Sequence, residues 1–249
     1  MIRPAHPFLL AALFAGACAT VPAPSPVADG APSPAPFSRS RANGELPPGW
    51  TPFRITRFKK PTEYRLVDLD GKVVLEATAD ASASGLHFDT LADLREHPWL
   101  AWKWKVREAN GKADSTLAHV EDSPARVIVV FEGGRDRLPP HEQMNSDLAK
   151  AMGGHELPYA TLMYIWENHL PEGAIVDHHL TSRIKMIVAA SGRDHAGTWQ
   201  EERVNLLEDF RRAFGEDPPR VRAVGIMSDS DNTRAHTIAW YGDIRFEKR

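Results

Sequence analysis

From residue 50 onward the chain is a series of short alternating or wholly apolar runs separated by turn residues, the period-two signature of strands that bury one face. Residues 64–68 and 73–78 flank Asp70-Gly71, a dipeptide that tolerates positive φ, and so predict a hairpin. Leu100, Trp102, Trp104 and Val106 alternate with Ala101, Lys103, Lys105 and Arg107, which predicts a strand with its tryptophans in the core. Runs of strand type follow at 126–131, 159–166 and 183–190, the last apolar on both faces. Near the end, Ile238, Trp240, Ile244 and Phe246 share one parity while Thr237, Tyr241, Asp243 and Arg245 take the other, predicting a closing strand.

Two segments break this rhythm. Val204, Leu207, Phe210 and Phe214 stand at helical spacing; with Thr198 and Glu201 as a capping box and Gly215 as a stop, they predict a helix over 199–214. A second, shorter helix is expected at 141–152, between Pro139-Pro140 and Gly153-Gly154, with Met144, Leu148 and Met152 inward. Roughly ten short strands with so few helices imply an all-β fold, a β-sandwich of jelly-roll type with one or two inserted helices. A parallel α/β sheet would need a helix after most strands.

The amino terminus reads differently. Arg3 precedes ten apolar or small residues at 8–17, far short of the ~20 that a spanning helix needs, so residues 1–17 are expected to be a signal peptide. Leu13-Phe14-Ala15-Gly16-Ala17-Cys18 resembles a bacterial lipobox, with Ala15 in place of the commoner Leu. The resemblance implies cleavage before Cys18 and its acylation, so that membrane lipid is a partner through Cys18. Ala19 in place of Asp implies the outer membrane facing the periplasm, if the source is Gram-negative. Residues 18–48, rich in Pro, Ala and Ser, read as a polyproline-like tether, and the sandwich domain is expected over 49–249.

Composition narrows the chemistry. The 249 residues carry a net charge of −3 without a basic run, which argues against nucleic acid, and the single cysteine excludes an internal disulfide or a thiolate-built zinc site. No cofactor motif is present, and both His-Glu-x-x-His and Gly-x-Ser-x-Gly are missing. The densest polar run is Ser228-Asp229-Ser230-Asp231-Asn232-Thr233. It can offer hard oxygens to Ca²⁺ or hydrogen bonds to sugar hydroxyls; a solvated Asx-rich turn is the plain alternative. Asp229, Asp231, Asn232, Trp166 and Arg183 form a candidate ligand-binding set provided they converge on one concave surface.

Asp122 and Arg126 are expected to pair as a structural salt bridge across a turn. Asp177-His178-His179, with His141, His155, His169 and Glu156, contains metal-ligand types without a recognised spacing. Glu167, Asp177, Glu202 and Asp209 are candidates for a glycosidase pair, on abundance alone. Trp50, Trp99, Trp166 and Trp199 lie near turns or element ends, where an indole either stacks on sugar or packs in the core.

Several separated motifs resemble one bacterial family, the domain of unknown function three-zero-four-seven. They are Pro98-Trp99-Leu100-Ala101-Trp102-Lys103-Trp104, Glu121-Asp122-Ser123-Pro124-Ala125-Arg126, Glu201-Glu202-Arg203 with Asp209 and Phe214-Gly215, and the 228–233 run followed by Trp240-Tyr241-Gly242-Asp243-Ile244-Arg245-Phe246. The resemblance covers roughly residues 49–246 and implies no activity. More distantly, the last stretch is similar to the closing strand of galactose-binding-like jelly rolls, mostly non-catalytic sugar binders. The expectation is an envelope-anchored lipoprotein whose sandwich binds a glycan or another envelope component, with a polysaccharide-acting enzyme or an envelope scaffold as alternatives.

Overall fold

The computed structural model describes residues 32–153 and 156–248. In them the alternating runs become β1 (Trp50–Phe53), β2 (Glu63–Leu69), β3 (Lys72–Asp80), β4 (Ala83–Ala92), β5 (Trp99–Val106), β6 (Arg126–Phe131), β7 (Ala160–Glu167), β8 (Ile175–His178), β9 (Thr181–Ser191), β10 (Gln200–Asn205), β11 (Val221–Asp229), β12 (His236–Tyr241) and β13 (Arg245–Glu247). Two helices interrupt them, α1 (Pro140–Gly153) and α2 (Leu206–Phe214). The expected hairpin forms from β2 and β3. Asp70 and Gly71 both take positive φ, 57° and 76°, so the turn matches the twist of its strands.

One sheet has the order β1-β4-β11-β6-β7-β9-β8, and the other β10-β5-β12-β3-β2 with β13 also on β5. All pairs are antiparallel except β7 with β9. Because the chain crosses between sheets at β3–β4, β4–β5 and β5–β6, the sheets stack as a sandwich of jelly-roll type. Trp102, Trp104, Tyr164 and Trp166 fill its middle, with Trp102 5.2 Å from Tyr164 and Trp104 6.1 Å from Trp166 between ring centroids. Phe210 of α2 closes one end against Phe131 at 4.5 Å.

Four expectations are corrected. The 199–214 segment is not all helix: residues 200–205 pair with β5 from Gln200↔Trp104 to Asn205↔Trp99, and α2 begins only afterwards. Ladder bonds to an open sheet edge outweigh helical spacing there. Asn205 rather than Thr198 caps the helix, accepting from the Glu208 amide at 3.3 Å, and Gly215 ends it at φ 71° as expected.

On α1 the inward face is polar. Met144 and Leu148 are 66% and 59% exposed, while Glu142 and Ser146 are buried. Glu142 accepts from the Ser182 amide at 2.9 Å and from the Thr181 hydroxyl, which fixes the helix to β9. The closing strand is broken at 242–244, and the break shifts parity. Thr237, Ala239 and Tyr241 face inward before it and Phe246 after it, leaving Ile238 and Trp240 half-buried.

Expected as tether as far as residue 48, the chain instead lies on the sandwich from residue 32. Phe37 stacks on Trp50 at 5.0 Å, Thr90 donates its hydroxyl to the Pro32 carbonyl, and the Asn43 amide donates to Leu66 O at 2.7 Å. An aromatic side chain with a matching slot outweighs the polyproline tendency of its neighbours. Cys18 and the signal peptide lie outside the described residues. No helix among the described residues is long and apolar enough to cross a membrane.

Candidate functional site

Strand β10 is the edge of its sheet, so beside it the sandwich opens. Residues 202 and 204 of β10 alternate inward beside Trp102 and Trp104, facing the inner side of β7 and β9, and α2 folds across the opening. The result is an open groove of about 320 Å³, lined by Trp99, Tyr164, Glu172, Glu202, Glu208, Asp209 and Arg212 around an apolar floor of Ile187, Val188, Ala189 and Val204.

Two of its acids are held in place. Glu202 accepts from the Trp104 indole N–H at 3.2 Å. Asp209 accepts from the Tyr164 hydroxyl at 2.8 Å and from Arg212 at 2.9 Å. Burial pushes the Glu202 carboxyl up to about 7; the Trp104 hydrogen bond opposes this and the charge of Glu172 adds to it. Burial also raises Asp209, against its bonds to Tyr164 and Arg212. A carboxyl shifted as Glu202 is, lying in a groove, can store or transfer a proton near neutral pH. Arg203 stacks over the Trp99 ring at 3.9 Å and steadies it at the rim.

A second polar cluster lies on the outer face of the seven-stranded sheet, where β6 begins and β11 ends. Arg126 is fully buried and holds Asp229 bidentately, with Nη2 at 3.0 and 2.9 Å from its two oxygens. The same nitrogen is 2.8 Å from Glu121 Oε1. Burial disfavours the guanidinium charge, but Asp229 and Glu121 outweigh it and hold Arg126 above its ordinary value. Burial raises Asp229 against the pull of Arg126.

The expected Asp122–Arg126 pair does not form. Asp122 instead accepts from the Asn232 and Thr233 amides at 3.2 and 2.7 Å and from the Thr233 hydroxyl at 2.6 Å, pinning the 230–233 turn. Asp231 pairs with Lys59 at 2.8 Å, and Asn232 donates its side-chain amide to Ala118 O at 2.9 Å. One oxygen from each of Asp122, Asp229 and Asp231 lies within 4.8 Å of the others, an oxygen set that calcium would accept. Each carboxylate is already committed to amides, a hydroxyl, Arg126 or Lys59, so the cluster is complete as a turn clamp.

The structure therefore gathers Asp229, Asp231 and Asn232 at one turn but not the other two candidates. Trp166 is 1% exposed, its ring packed on Trp104 and its indole N–H on Gly192 O, so it offers no face to a sugar. Arg183 is engaged elsewhere, with Glu216 at 2.8 Å and over the rings of Tyr159 and Phe214. Of the four candidate acids, Glu202 and Asp209 share the groove. Glu167 is turned onto the Ser115 and Leu170 amides, and Asp177 pairs with Lys185. Tyr164, Glu172 and Arg212 escaped sequence reading; placing 200–205 on a strand would have pointed Glu202 inward.

Several solved structures are similar to this chain at low sequence identity. A family 30 carbohydrate-binding module of a cellulosomal cellulase of Clostridium thermocellum is 14% identical, with 76% of this chain and 86% of that one covered and a TM-score of 0.39. The carbohydrate recognition domain of Emp47p is 12% identical, with 86% and 93% covered and a TM-score of 0.43. A β-1,2-glucanase from Parabacteroides distasonis is 12% identical, with 80% of this chain but 23% of the glucanase covered and a TM-score of 0.36. No curated protein matches the chain in sequence. The model of the family described as "Protein of unknown function (DUF3047)" matches residues 48–245, the stretch that carries the motifs and the groove, and the chain belongs to that family.

Proposed function

We propose that this is a lipid-anchored envelope protein whose sandwich binds a glycan, without catalysing a reaction, in the groove between β9, β10 and α2. The groove's composition carries the reading. An aromatic at the rim and an apolar floor suit the C–H faces of a pyranose, while the fixed carboxylates and Arg212 suit its hydroxyls. With Glu172, Glu202, Glu208 and Asp209 against one arginine, the groove favours neutral or amino sugars and repels polyanionic ones.

The anchor would be acylated Cys18, thirteen positions of sequence separating it from Pro32, where the chain first touches the sandwich among the described residues. Radiolabelled palmitate should enter the wild-type chain and not Cys18→Ser. Residues 32–249 should be retained on neutral or amino-sugar polymers and peptidoglycan, with at least a ten-fold loss of affinity in Trp99→Ala at unchanged melting temperature. Failure of all these glycans to retain the protein overturns the binding reading.

One observation favours a second reading, a polysaccharide-cleaving enzyme: a carboxyl near pKa 7 beside a second acid in a groove fits general acid catalysis. That reading requires release of reducing ends from a polymer, abolished in Glu202→Gln.

A further inference from the structure

At the tip of the β8–β9 hairpin, His178 closes one strand and His179 and Leu180 make the turn. The two imidazole rings stack, 4.4 Å between centroids and 25° between planes. One nitrogen from each ring and one oxygen of Glu121 lie within 4.8 Å of one another. Glu121 is 8% exposed. Its Oε1 lies 2.8 Å from Arg126, its Oε2 lies 3.9 Å from His178 Nε2, and no amide or hydroxyl among the described residues donates to it.

The charge around this carboxylate does not balance. Arg126 is already gripped by Asp229, so one buried guanidinium faces two buried carboxylates. Lys59, the other nearby cation, is taken by Asp231. A buried carboxylate that shares its cation with a rival is costly, and a positive ion held beside it relieves that cost.

We propose that Glu121, His178 and His179 form a binding site for a divalent cation of the zinc class, with the remaining coordination position open to solvent at exposed His179. Two imidazole nitrogens and one carboxylate oxygen suit such a borderline ion, whereas calcium and magnesium call for oxygen throughout. Donor atoms around a tetrahedral zinc lie about 3.3 Å apart, so the 3.9 Å between His178 Nε2 and Glu121 Oε2 closes by about 0.6 Å on binding. The Leu180 amide donates to His178 Nδ1 at 3.3 Å. Ligation through Nε2 moves the proton to Nδ1 and breaks this bond, turning the Leu180 amide to water. Arg126, fixed by Asp229, keeps the far oxygen of Glu121 from swinging away.

The test is a titration of the chelator-treated protein with Zn²⁺ alone, followed by calorimetry and by amide NMR. One equivalent should bind with micromolar affinity and shift the Leu180 amide together with the His178 and His179 ring signals. Affinity should fall at least ten-fold in His179→Ala, an exposed position whose loss leaves the fold intact. Ca²⁺ should produce none of these shifts. Zn²⁺ uptake that persists undiminished in His179→Ala, or no uptake by the wild-type chain at a hundred micromolar, overturns the proposal.

Discussion

Glu202 shows what one residue's surroundings do to its chemistry. Free in an unfolded chain it titrates near 4.5; in the groove it is held near 7, because burial disfavours its charge more than the Trp104 hydrogen bond restores it. The protonated form is therefore the one folding favours. Its contribution to stability is complete below the unfolded value and is lost as pH rises from about 4.5 through about 7; Asp209, also raised by burial, acts in the same direction. Glu202→Gln keeps an acceptor for the indole and removes the titration. Urea unfolding at about pH 5 and about pH 8 should show the variant losing about 1–2 kcal/mol less than wild type between the two, allowing for solvent at the open groove. In the sequence, Glu202 and Asp209 are two acids among many. Nothing in their residue type separates them from Glu167, which is spent on backbone amides, or from Asp177, which is spent on Lys185.

At the scale of elements, the junction between β10 and α2 shapes the groove. Val204 shares helical spacing with Leu207 and Phe210, yet it also alternates with Glu202, and pairing with β5 decides between the two periods. Asn205 is where one gives way to the other. It pairs with Trp99 through its backbone and caps α2 through its side chain. Asn205→Ala should cost about 1 kcal/mol in denaturant unfolding and raise amide exchange across the first turn of α2 before the rest of the domain. Helix α1 teaches the same lesson from its buried face. Glu142 and Ser146 stand at i and i+4 as Met144 and Leu148 do, so spacing alone gives two candidate faces, and hydrophobicity selects the wrong one. The polar face wins because Thr181 and Ser182 at the start of β9 supply its hydrogen bonds.

At the scale of the whole molecule, the segment before β1 is part of the sandwich. Phe37 is 1% exposed against Trp50, whose indole N–H donates to Ala35 O at 3.1 Å, and the Phe246 amide donates to the Ser33 hydroxyl at 2.9 Å. Phe37→Ala should lower stability by about 3–4 kcal/mol in urea unfolding, and a chain beginning at residue 49 should lose at least as much. A segment that served only as tether would leave stability unchanged in both.

The sequence by itself determined the class of architecture. Period-two alternation from residue 50, the Asp70-Gly71 turn and the scarcity of helix are local signals, and local signals suffice to demand strands that bury one face. The spread of family motifs over residues 49–246 likewise marked the extent of the domain match. Only the tertiary structure decided which polar groups meet. The Arg126–Asp229 pair spans 103 positions and the Trp104–Glu202 bond 98, and no local periodicity encodes such encounters. The groove itself exists because one sheet ends at β10 while the other continues to β8, a difference between two strand orders that becomes physical only when the sheets stack.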